Sequence, residues 1–327
     1  MKIIKSTLII SLFLGILSCN AQKNIQNSKT NAEISVKEGG KWNDRKYEGG
    51  TFKNVQSLDL DPRHTDHSFD IRFEGPGWES SKIAYRLYLD WRNAIDIFGK
   101  TTDKMVLPLV GLDGFESYHL KQDWGSDILK VGKGQGIGSI LRYQNNEMLY
   151  FKKVEKTSVN VENSAKKSTV DISYKGWETL NDKIDLTTKL EIFPNERFTK
   201  ATVTPSKSIS GICTGIVKVK ELELLKNTST NQKWAYIATY GDQSMFQDNL
   251  GMAVFYQTSS LENLADGPFD HLIVFKPTTQ PIHYYFLAAW VNEPNGIKSK
   301  EEFLKYLNEK LSILNANKKM RKYLVIS

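Results

Sequence analysis

The sequence has almost no cysteine, two in 327 residues, and one of these, Cys19, lies in the N-terminal leader. A disulfide framework is therefore excluded, and no Cys/His cluster has the spacing of a zinc site. No hydrophobic run is long enough to cross a bilayer as a helix. There is no internal repeat and no block of like charge: 44 basic and 37 acidic residues give +7, spread along the chain. Such a diffuse excess suits an anionic small ligand and gives no basic stripe for nucleic acid. A dinucleotide fingerprint is also lacking. Glycines stand at 132, 134, 136 and 138, but no apolar strand precedes them and no amphipathic helix follows.

What is present begins with an export signal. Lys2 and Lys5 precede the short apolar run "LIISLFLGIL", and Ile16-Leu17-Ser18-Cys19 reads as a lipobox. Residues 1–18 are thus expected to be a signal peptide, with Cys19 lipidated; cleavage after Ala21 is the alternative. This places the protein in the periplasm, lipid-anchored to the cell envelope, or soluble there or secreted if the anchor is absent. Residues 19–50 are polar with Gly39-Gly40 and Gly49-Gly50, and are expected to be a tether and leading loop. Cys213, in the alternating run "GICTGIVKV", is expected to be a buried structural thiol.

From residue 51 the chain is a succession of strand-like runs, among them "KIAYRLYLDW", "STVDISYKGW", "DLTTKLEIF", "GMAVFYQT" and "IHYYFLAAWV", separated by turn signals such as Pro194-Asn195 and Asp266-Gly267-Pro268. Their number predicts an all-β fold, a large antiparallel β-sandwich forming a single catalytic domain over 51–327. One helix closes it: Ser299 and Glu302 form a capping box, and Phe303, Leu307, Leu311 and Leu314 recur on one face.

Candidate functional residues concentrate between 64 and 130. Alternation along Lys82–Lys100 puts Ile83, Tyr85, Leu87, Leu89 and Trp91 on one face and Arg86, Tyr88, Asp90 and Arg92 on the other. Arginine grips carboxylates or sulfates bidentately, so this second face suits an anionic sugar; a solvated sheet face with cross-strand ion pairs is the alternative. Upstream, His64 and His67 precede Glu74 and Glu79, which flank a Gly-Pro-Gly turn ending in Trp78. These histidines offer acid or base chemistry, or a divalent metal seat, although no HxH or HxxxH pairing fixes a metal geometry. In "SYHLKQDWGSDILK", Tyr118 and His119 are adjacent, Asp123 or Asp127 could fix the imidazole tautomer, and Trp124 and Lys130 could meet substrate. His119 capping backbone carbonyls is the structural alternative.

The stretches "HTDHSFDIRFEGPGWESSKIAYRLYLDWRNAIDIFGK" and "GFESYHLKQDWGSDILKVGKGQGIGS", with the late strands "LGMAVFY" and "YYFLAAW", resemble the DUF4861 family of exported bacterial proteins. The resemblance covers nearly the whole chain after the leader. It implies a place in polysaccharide utilisation and an oligosaccharide dehydratase activity of the kind that acts in ulvan breakdown, on a fold like the galactose-mutarotase supersandwich. The expected reaction eliminates water from a non-reducing-end uronic acid to leave a 4,5-unsaturated uronide. Such chemistry needs a base at C5, an acid for the C4 hydroxyl and positive charge at the carboxylate. His119, Tyr118, Arg86, His67 and His64 are the catalytic candidates, with Trp78, Glu79, Tyr88, Arg92, Asp123, Trp124 and Lys130 against the substrate. No cofactor is required, though a divalent metal is compatible. A lyase on the same scaffold is one alternative. A glycan-binding lipoprotein using Trp78, Trp91 and Trp124 as platforms is the other.

Overall fold

The computed structural model describes residues 29–113, 117–220, 222–228, 231–316 and 320. The signal peptide, the lipobox and Cys19 lie outside these residues. The alternating runs form twenty strands among the described residues, in sheets of six, nine and five strands whose named ladders are all antiparallel. The expected all-β sandwich with a C-terminal helix is what the chain adopts.

The nine-stranded sheet runs from Leu225–Asn227 at one edge to Ser57–Asp59 at the other, with Asn249–Gln257, Ile282–Trp290 and Phe198–Pro205 in its middle. Its inner face carries Val254, Tyr284, Phe286, Val203 and Leu190, all buried in the main core. At one end its outer face is covered by the helix Lys300–Asn315, which buries Phe303, Leu307, Leu311 and Leu314 as the periodicity predicted. Each such burial stabilises by about 1.5–3 kcal/mol. Ser299 caps this helix by accepting from the Glu302 amide at 3.2 Å. Cys213 is fully buried in the five-stranded sheet, where burial pushes its thiol well above the ordinary range, as suits a structural cysteine.

The six-stranded sheet positions the candidate site. Its order is Lys46–Val55, Thr30–Asn43, Gly77–Ser80, Ile83–Leu87, Ile95–Lys100 and Gly125–Asp127. One face of its central hairpin buries Ile83, Tyr85, Leu87, Ile95 and Ile97 in the main core. Trp78 and Tyr85 fasten this sheet to the nine-stranded one. The Trp78 indole donates to Thr199 Oγ1 at 2.8 Å, and the Tyr85 hydroxyl donates to the Arg197 carbonyl at 2.6 Å.

Two expectations need correction. The tether expected over 19–50 is, from Thr30 on, a long hairpin, with Ile34 opposite Val55 and Asn43 opposite Lys46. Its far half is exposed on both faces, so it lacks the apolar alternation that marks a buried strand, and its glycines sit at a pinched Gly40–Gly49 pair. The second correction concerns the face bearing Arg86. It is not an open concave surface, because loops from 66–76, 101–113 and 117–124 roof it. Beneath that roof Phe73, Ala84, Phe98, Val106, Leu107, Val110 and Tyr118 make a small separate core, with Trp124 at its edge. The glycine run is a tight turn against this sheet: Gly136 has φ +73°, and a Cβ there would lie 1.7 Å from the Ile95 carbonyl oxygen.

Candidate active site

Register places the charges. Arg86 lies directly across from Asp96, and Phe98 across from Asp127, so one guanidinium and two carboxylates share a face over three neighbouring strands. Arg86 Nε donates to Asp96 Oδ1 at 2.9 Å, Nη2 to Asp96 Oδ2 at 2.5 Å, and Nη2 reaches Asp127 Oδ2 at 2.8 Å. The guanidinium is fully buried and lies 4.7 Å from the Tyr118 ring centroid and 5.5 Å from that of Phe98. Arg86 is thus sealed from any substrate, contrary to expectation, and acts instead as the post on which the site is built.

His119 is carried by the short turn Ser117–His119 at the edge of the roof. Its Nδ1 donates to Asp127 Oδ2 at 3.1 Å, while the side chain is 37% exposed. Burial works to raise the Asp127 pKa, but the Arg86 charge and the His119 hydrogen bond outweigh it and hold the carboxyl below its ordinary range. An ionised Asp127 fixes the proton of the neutral imidazole on Nδ1 and leaves the lone pair on Nε2. The Tyr118 ring lies 4.4 Å from that of His119, and burial pushes its hydroxyl far above the ordinary phenol value. Tyr118 is therefore a neutral donor and not a tyrosinate base.

The other flank comes from the loop before the Gly-Pro-Gly turn. Glu74 is nearly buried; its Oε1 accepts from the His67 amide at 2.7 Å, and its Oε2 lies 3.4 Å from Arg92 Nη2. Burial first, then the neighbouring Asp90 and Asp66, raise the Glu74 pKa to about 7, against the His67 amide and Arg92. Arg92 is gripped by Asp90 and by Asp66 Oδ1 at 2.6 Å, and its guanidinium lies 4.7 Å from the Tyr88 ring. Tyr88 in turn donates to Asp96, which ties both flanks into one network. His67, Phe69, Phe73 and Glu74 all have φ between 41° and 67°, a strained conformation for residues with a Cβ, clustered in this one loop.

Asp66, His67 and Glu74 offer ligand atoms within 4.8 Å of one another. Arg92 Nη2 is already seated against two of the three, so a divalent ion would have to displace a guanidinium from these carboxylates.

The remaining expected site residues fall elsewhere. His64 has a side chain 1% exposed, and its Nδ1 donates to Asp70 Oδ1 at 2.8 Å, so it does not reach the cleft beside His67. Trp78 is core, stacked on Tyr85, which removes one platform of the glycan-binding alternative. Glu79 is fully buried; it pairs with Lys100 at 2.7 Å and accepts from the Val106 and Leu107 amides, so it anchors the roof and does not touch substrate. Asp123 and Lys130 are exposed, and Trp124 stacks on Phe98 with its edge in solvent. Asp96 was not anticipated, although a lone carboxylate inside "AIDIF" is the mark of a buried, paired charge.

These are the residues in which the chain is densest in unusual chemistry, and the whole of it falls inside one recognised unit: the family described as Domain of unknown function (DUF4861) matches residues 14–319. The chain belongs to the DUF4861 family. No curated protein matches it. As a DUF4861 member it carries the entire network, from Asp66 to Asp127, within the matched span.

Proposed function

We infer that this DUF4861 protein is a carbon–oxygen lyase that removes water from the non-reducing-end uronic acid of anionic, ulvan-type oligosaccharides. The observation that carries the reading is the His119–Asp127 pair, held by buried Arg86 and linked through Asp96, Tyr88 and Arg92 to a flank where Glu74 keeps its proton near neutral pH. His119 Nε2 takes the C5 proton while Asp127 steadies the imidazolium that forms. The C5–H electron pair becomes the C4=C5 double bond and the C4–O bond breaks. Glu74 protonates the departing oxygen, which leaves as water, and the proton on His119 returns through solvent. Arg92 Nη1, the edge of that guanidinium without a carboxylate, meets the uronate, and the Tyr118 hydroxyl donates to the charge that develops there. The site lies at the periplasmic face of the envelope, with the chain lipid-anchored through Cys19.

Incubation with uronate-terminated oligosaccharides, followed by mass spectrometry and absorbance of the unsaturated uronide, tests this. Loss of one water mass without chain shortening is expected. Chain shortening would make the protein a chain-cleaving polysaccharide or oligosaccharide lyase, and binding without change would make it a glycan-binding module.

A further inference from the structure

On the far side of Asp90 from Glu74 the structure holds a cavity of about 560 Å³, within the ~300–1,000 Å³ of small-ligand sites. Its walls come from the 60–65 loop, the 151–157 segment, Leu89–Trp91 and the tip of the N-terminal hairpin. Asp90 is common to both places: it lines the cavity and holds the Arg92 guanidinium, which also meets the carboxyls of Asp66 and Glu74. The cavity therefore adjoins the candidate active site, with the Asp90–Arg92 ion pair between them.

Its acidic and basic residues are equal in number, but the charge left unpaired is one-sided. The acidic groups on its wall are already committed to cations: Asp61 to Arg63 at 2.6 Å, Glu155 to Lys183, and Asp90 to Arg92. Among the lining cations, Lys156 pairs with Asp59, whereas Arg45 and Lys152 make no ion pair among the described residues. Trp91 is half-buried on the same wall, set edge-on to Tyr150 at 4.9 Å, and supplies a flat apolar surface. His64 lines the wall as well, and its buried Nε2 has no hydrogen-bond partner among the described residues. An apolar ring beside unpaired cations fits a sugar that carries a carboxylate or sulfate: the ring takes the C–H face and the cations the anion.

We propose that this cavity is a second sugar subsite, which binds the anionic residue that follows the reacting uronate along the oligosaccharide. The proposal rests on the dehydratase reading for the identity of the chain, and its test is separable from that reading. Calorimetric titration of wild type and of an Arg45→Ala/Lys152→Ala variant uses a uronate-terminated tetrasaccharide, its desulfated counterpart, and the terminal disaccharide. Both substitutions are at exposed positions, and an unchanged melting temperature checks the fold. The tetrasaccharide Kd is expected to rise about tenfold in the variant, with the desulfated form weaker on wild type and the disaccharide affected less than twofold. Equal weakening of both lengths, no weakening at all, or no binding by wild type would each overturn the subsite. Turnover is recorded separately: length-dependent binding without loss of water keeps the subsite and removes the reaction, and loss of water without that dependence does the reverse.

Discussion

His119 Nδ1 lies 3.1 Å from Asp127 Oδ2, with the carboxylate buried and the imidazole a third exposed. A fixed acceptor behind a partly open ring is the arrangement that makes a neutral histidine a base. Asp127→Asn preserves the shape but offers an amide that no longer selects the Nδ1–H tautomer. Turnover should drop by about a hundredfold or more in both Asp127→Asn and His119→Ala, while the oligosaccharide still binds. Wild-type turnover in His119→Ala would remove the base from this position.

Arg86 and Arg92 should separate cleanly by experiment. Arg86→Met leaves Asp96 and Asp127 buried without their counter-ion, and breaking such a group costs about 3–5 kcal/mol, so a large fall in melting temperature is expected. Arg92→Lys keeps the charge but loses the planar fork that meets the uronate, so it should raise KM, with a smaller fall in melting temperature than Arg86→Met. The opposite pattern, a stable Arg86 variant with raised KM, would return the substrate contact to Arg86.

How far this site was legible in the sequence differs residue by residue. Alternation along Ile83–Leu87 was readable because a strand's period is local, and the two faces fell as expected. Which face met solvent was not, since Phe73, Tyr118 and the 101–113 loop that roof Arg86 come from separate stretches of chain. The pairing of His119 with Asp127 in preference to Asp123 depended on the sheet register that sets Asp127 opposite Phe98. Glu74 was visible only as a flank of a turn, because its raised pKa comes from burial. The helix Lys300–Asn315 was legible to its cap, where every signal is within one turn.

A metal requirement is testable at Asp66, His67 and Glu74. Arg92 is already seated against Asp66 and Glu74, so treatment with EDTA followed by gel filtration should leave turnover unchanged. Loss of activity that returns with added divalent ion would show that the guanidinium yields its place.

Cys19 is expected to carry the membrane anchor. Cys19→Ala should move the protein from the detergent phase to the soluble periplasmic fraction, since a lipid chain supplies the hydrophobic attachment. An unchanged partition would favour cleavage after Ala21.

Glu74 links the pH dependence of activity to that of stability. Its pKa rises from 4.5 to about 7 in the fold, so the folded state holds the proton more tightly than the unfolded chain does. The stabilising contribution is complete below pH 4.5 and is lost as pH rises through about 7. Asp270 and Glu293, each raised to about 7 chiefly by burial, add to the same trend. The melting temperature should therefore decline between these limits, and Glu74→Gln, which is neutral throughout, should make the decline shallower. If Glu74 is also the acid for the departing hydroxyl, kcat falls about tenfold per pH unit above about 7. Glu74→Gln should then lower kcat by about a hundredfold and abolish that alkaline limb. A Gln variant with a shallower stability curve but an intact limb would leave Glu74 a buried structural acid and assign the proton to another group.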